Sequence, residues 1–136
     1  MRKILGLDIG TKRIGVALAE GAITSSYGIV DSSDYQTAIL EIAKICHSET
    51  VEKIIVGIPK SEDTFQVDKI HSFAMELAKV VSLPIEYVDE AFTSKEAERM
   101  LENSKLDPKS ENYKQEVDKI AAKLILEQYA NKLGHE

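Results

Sequence analysis

The run KILGLDIGTKRIGVALA at residues 3–19 constrains the fold of this chain more than any other stretch. Two apolar segments flank a Gly-Thr-Lys turn, which predicts a hairpin with a strand over 3–8, a turn over 9–12 and a returning strand over 13–19. Asp8 closes the first strand. A carboxylate at a strand end beside a loop can hold a metal ion or contact a phosphate. Asp before Gly is also an ordinary turn pair, so the residue alone leaves both readings open.

The hairpin is followed by a third strand over 22–30 and then by elements that alternate. A helix is expected over 34–47, with Asp31 to Asp34 offering caps. KIIVGI is short and almost wholly apolar, the pattern of a strand covered on both faces. A helix over 64–81 carries Val67, Ile70, Phe73, Ala74, Leu77 and Ala78 at helical spacing. IEYVDE is the fifth strand. Thr93 starts a third helix, with Glu96 completing a capping box, and Asp107-Pro108 marks the start of a last helix running to about Leu133. Strands first, then helices alternating with single strands, imply an α/β fold: a mixed five-stranded sheet flanked by helices.

Composition narrows the classes. The chain has 136 residues, 43% apolar and 29% charged, which suits one globular domain over 1–136 with a single substantial core. No apolar run approaches the length needed to cross a bilayer, so no membrane partner is expected. Cys46 is the one cysteine, and it sits among Ile42, Ala43 and Ile45, which reads as a core position in a reducing cytoplasm. The net charge of −6 argues against a uniformly basic nucleic-acid surface. It leaves room for a local patch, since Arg2, Lys3, Lys12 and Arg13 face only Asp8 in the first thirteen residues, while the acids concentrate between Asp31 and Asp68.

The last helix adds a second acid of interest. At 100° per residue, Val117, Ala121, Ala122, Leu124, Ile125, Leu126 and Tyr129 form one arc with Asp118 near its middle, and Glu116, Lys119, Lys123 and Glu127 lie opposite. Burying an unpaired carboxylate costs several kcal/mol, so Asp118 needs a partner. A metal ion would serve, and so would an Arg or Lys from elsewhere. A third acidic point is Asp89-Glu90 at the end of the fifth strand. Alternation sends these two side chains to opposite faces, so one of them joins a common site. Three acids from two strand ends and a helix suit magnesium, a hard ion that takes oxygen ligands, and the matching reaction is phosphodiester hydrolysis. The scattered His47, His71 and His135 give no zinc spacing, and no Walker or Rossmann glycine pattern is present.

The whole chain resembles the YqgF family of RNase H-like proteins, Holliday junction resolvases and pre-16S rRNA nucleases. LDIGTKRIGVALA, IIVGIP, YVDEAFTSKEAERML and VDKIAAKLILEQYA carry the resemblance in order. It implies an RNase H-like fold and a catalytic, metal-binding cluster of Asp8, Glu90 and Asp118 holding Mg2+ or Mn2+. It places Lys12 and Arg13 near the substrate, with Thr93 and Ser94 beside the acidic strand end. The implied partner is nucleic acid, either precursor rRNA or branched DNA, with ribosomal particles as a further partner. Two departures stand out. Ala91 replaces the arginine of the family's Asp-Glu-Arg, and the segment after Pro59 is acidic and lacks its glycine. Lys60 partly replaces the lost positive charge, or is a solvated loop lysine.

The leading expectation is a metal-dependent nuclease that processes the 5′ end of pre-16S rRNA. A resolvase acting on branched DNA and a non-catalytic ribosome-assembly factor on the same fold are the alternatives. A resolvase would need paired active sites and an rRNA-processing enzyme need not, so the number of copies stays open. The opening hairpin also looks like the first phosphate hairpin of actin-like ATPases and sugar kinases. That fold needs two such domains, and this chain has length for one.

Overall fold

The computed structural model describes residues 2–59, 64–90 and 93–134, and for Thr64, Glu90, Thr93, Ser94, Leu133 and Gly134 it describes the backbone alone. In chain order the elements are β1 (Lys3–Ile9), β2 (Arg13–Glu20), β3 (Ile23–Asp31), α1 (Tyr35–Ser48), β4 (Lys53–Pro59), α2 (Thr64–Val81), β5 (Ile85–Glu90), α3 (Thr93–Met100) and α4 (Glu111–Gly134).

The five strands form one mixed sheet in the order β3-β2-β1-β4-β5. β1 to β3 are antiparallel neighbours, and β4 and β5 run parallel to β1. This is the mixed sheet expected from the chain's pattern. Its period of two divides the side chains cleanly between two helical layers. Leu5, Leu7 and Ile9 of β1, Ile14 and Val16 of β2, and Ile54 and Val56 of β4 bury against Ile39 and Ile42 of α1 and Ile70, Phe73 and Leu77 of α2. The alternate positions, Ala17 of β2, Ile55 of β4 and Val88 of β5, pack against Ala122, Ile125, Leu126 and Tyr129 of α4. Cys46 is a core residue, 5% exposed.

α4 lies unusually close to the sheet, and two glycines explain it. A Cβ on Gly6 would stand 2.5 Å from Leu126 Cγ, and one on Gly15 would land on the main-chain carbonyl of Asp118. Both glycines occupy the α4-facing positions of their strands, so their bare backbone is what lets the helix settle there.

α1 starts as its cap predicts, with Asp34 Oδ1 accepting from the Gln36 N–H at 3.2 Å. α4 does not. The Asp-Pro signal placed its start at Asp107, but the helix begins at Glu111. Asp107 instead closes a turn, its Oδ1 accepting from the Lys109 N–H at 3.0 Å and its carbonyl from the Ser110 N–H at 2.8 Å. Ser110 is the true cap, since its Oγ accepts from the Tyr113 N–H at 3.1 Å. The basic cluster at the N-terminus is also divided. Arg2 and Lys3 pair with Glu52 and Glu49 at one end of β1, while Lys12 and Arg13 lie beyond the other end. Among the described residues no helix is long and apolar enough to cross a membrane.

Candidate functional site

The end of the sheet where β1 gives way to β2 carries the candidate site. Leu5, Leu7 and Ile9 take the α1/α2 face of β1, which leaves Asp8 on the α4 face, paired in register with Gly15 of β2. Since the Asp118 carbonyl rests against Gly15, that one glycine brings the two acids of the first and last elements to the same place. Asp8, Lys12 and Arg13 of the hairpin, Gln66 of α2 and Asp118 of α4 line a cavity of about 240 Å³.

The turn that carries Lys12 and Arg13 is held from β3. The Gly10 N–H donates to the Arg13 carbonyl at 3.0 Å, and the Ser32 N–H donates to the Lys12 carbonyl at 3.0 Å. Ser32 Oγ also donates to the Gly10 carbonyl at 2.8 Å, and Ser32 itself is 1% exposed. A buried serine spending both its donors on one turn fixes the loop's path.

Asp118 has the partner that its place on the apolar arc demanded. Arg13 Nε donates to Asp118 Oδ2 at 2.7 Å, and Arg13 Nη1 donates to Glu111 Oε1 at 3.0 Å. A charge-assisted bond of this length meets the need for compensation by itself, so the burial of Asp118 does not require a metal. Burial still pushes the Asp118 carboxyl above its ordinary value, with Arg13 pulling it down and the charge of Glu111 adding to the rise. The hydrogen bond to Asp118 raises the Arg13 guanidinium, which stays charged. The pair thus favours both ions, but for Asp118 the loss of solvent outweighs it.

The third expected acid is reached through its strand. Glu90 stands opposite Pro59 in the β4–β5 register, two positions beyond Val88, which packs toward α4. Asp89 continues the other set of positions with Tyr87, whose ring meets that of His71 of α2 at 4.7 Å between centroids, tilted by 51°. In that register Glu90 holds the strand position of the α4-facing set and Asp89 that of the other. Among the described residues no group of three His, Cys, Asp or Glu is arranged to hold a metal ion, and the side chain of Glu90 lies outside that description. Lys60, Ala91 and the side chains of Thr93 and Ser94 lie outside it as well, as does the Thr93–Glu96 capping box.

Sequence reasoning passed over Gly15, Ser32, Gln66 and Glu111. A glycine inside an apolar strand is a recognised sign of close approach, so Gly15 was findable. Nothing in the spacing of the other three singles them out.

Comparison with known proteins agrees with this architecture. A protein of Thermosynechococcus vestitus named "Putative pre-16S rRNA nuclease" is 35% identical over 134 residues, covering 95% of this chain and 87% of that protein. One of the same name from Trichormus variabilis is 39% identical over 130 residues, covering 92% and 85%. The solved structure of Thermus thermophilus RuvC in complex with a Holliday junction substrate has a TM-score of 0.63 at 14% identity, covering 97% of this chain and 96% of RuvC, a likeness of fold. The RuvX model, described as Holliday junction resolvase, matches residues 2–132. The chain belongs to the RuvX family, the one its motifs resemble under the name YqgF, and is by that membership a nuclease.

Proposed function

We propose that this chain is a divalent-metal-dependent nuclease that acts in the cytoplasm on structured RNA, processing the 5′ end of pre-16S rRNA, with Asp8, Glu90 and Asp118 as its metal-binding, catalytic residues. The observation that carries the reading is the meeting of Asp8 and Asp118, from the first strand and the last helix, in one cavity beside Lys12 and Arg13. The donor set fits the ion. Carboxylate oxygens are the ligands magnesium and manganese prefer, and among the described residues that line the site there is no competing thiol or imidazole. When bound, such an ion supplies Lewis acidity to the phosphate and makes a water more acidic.

The chain's own residues do the rest. The α4-facing acids hold the charge at the sheet's end, and Lys12 and Arg13 attract and steady a phosphate. Thr93, Ser94 and Lys60 are proposed to complete the substrate contact. The names of the relatives favour precursor rRNA. The family description favours branched DNA as the second reading.

Incubation of the protein with Mn2+ and either a labelled pre-16S rRNA fragment or a four-way DNA junction tests both. Wild type is expected to cut the RNA, and Asp8→Asn to leave it intact while melting at an unchanged temperature. Cutting of the junction alone would select the resolvase. Binding of RNA by both proteins with turnover by neither would make the chain an assembly factor.

A further inference from the structure

Arg13 is held by two acids of one helix that differ sharply in setting. Glu111 and Asp118 lie about two turns apart on α4, and the guanidinium bridges them, Nη1 on Glu111 at 3.0 Å and Nε on Asp118 at 2.7 Å. The Glu111 side chain is 62% exposed and that of Asp118 24%. Arg13 is also common to two cavities. One is the acidic cavity of Asp8 and Asp118. The other, about 500 Å³, lies on the Glu111 side and is lined by Lys12, Ser33, Glu111 and Gln115 among others.

A guanidinium and a divalent cation on the same half-desolvated carboxylate repel each other, with less screening than in bulk water. Held by Asp118 alone, Arg13 would lose its hydrogen-bonded carboxylate when a cation arrived. Glu111, solvated and already bonded to the other end of the guanidinium, removes that cost.

We propose that Arg13 is the resident counter-ion of Asp118, displaced from it by an entering divalent cation, and that Glu111 is the positioning residue that retains the displaced guanidinium at the edge of the larger cavity. This rests on the reading of the Asp8–Asp118 cavity as a metal site. Asp118 is thereby paired in the metal-free protein, and the bound form keeps its arginine beside the two cavities instead of losing it to solvent.

Calorimetric titration of the full chain with MnCl2 tests the proposal without reference to catalysis. Arg13→Gln is expected to bind Mn2+ about five-fold more tightly or better, the lower end of ordinary coupling between sites. Glu111→Gln is expected to bind it about two- to five-fold more weakly in the wild-type background and unchanged, within about two-fold, in the Arg13→Gln background. Equal or weaker binding by Arg13→Gln would overturn the proposal, because Arg13 would then support Asp118 and not compete for it. A Glu111→Gln effect that persists without Arg13 would overturn the positioning role, since only a general charge effect survives that change. Glu111 is exposed, so should Arg13→Gln fail to fold its single variant still decides one outcome: Mn2+ binding equal to or tighter than wild type would overturn the positioning role. Asp118→Asn separates the two levels: if it binds Mn2+ like wild type, the metal-site reading itself fails.

Discussion

The backbone of Gly15 lies directly against the main-chain carbonyl of Asp118, so close that a methyl group at position 15 would fall on the oxygen. The obstacle is helix backbone and cannot rotate away. Gly15→Ala is therefore expected to cost about 3 kcal/mol or more in urea denaturation, the upper end of overpacking effects. Gly28→Ala, whose Cβ would meet nothing within 4 Å, should cost less than about 0.5 kcal/mol. Equal midpoints for the two variants would mean that α4 is free to move off the sheet.

Ser32 should behave as the fastener of the β1–β2 turn. Ser32→Ala removes the 2.8 Å bond to the Gly10 carbonyl, and the expected loss is about 1 kcal/mol. Hydrogen exchange gives the more specific readout: the Gly10 amide, which donates to Arg13, should exchange faster in the variant while α2 amides do not change.

Two carboxylates should titrate on opposite sides of the ordinary value of about 3.9. Asp31 is held low by the backbone N–H and hydroxyl of Ser33. Its folded pKa lies below the unfolded one, so its contribution to stability is present above the unfolded value and is lost as the pH falls through the folded value. Asp118 is held high by burial. The folded state then binds the proton more tightly, and the contribution of Asp118 to stability declines as the pH rises from the unfolded value through the folded one. Carboxyl 13C NMR in EDTA should show an Asp118 midpoint above that of Asp31. The reverse order would contradict the burial argument.

Cys46 is 5% exposed, and burial pushes its thiol up to about 11. At pH 8 the native protein should leave a disulfide reagent unconsumed, and one equivalent should react on unfolding in urea. Fast reaction of the native protein would place Cys46 outside the core.

Much of the fold was legible because hydrophobic period is a local signal. The apolar stretches around Asp8, the covered strand at Ile54 to Val56 and the face of α2 through Phe73 and Leu77 all follow from it. The start of α4 is ambiguous in the sequence because Asp107 and Ser110 are both capping residues, and only the bond from Tyr113 to Ser110 shows which of them the helix uses. The anomaly of Asp118 was visible as one acid on an apolar arc. Its partner was not, since Arg13 is 105 residues away and any arginine or lysine would have met the same need. Glu111 is invisible for the same reason: its role exists only once Arg13 has been brought to α4.

The central claim is that Asp8, Glu90 and Asp118 converge on one divalent ion. Crystals of the wild-type protein soaked in MnCl2 and measured near the manganese edge test it most directly. An anomalous peak is expected within about 2.3 Å of carboxylate oxygens from all three residues, absent from Asp8→Asn crystals soaked in the same way. Carboxylates standing apart with no peak between them, or a peak bound elsewhere on the molecule, would contradict it.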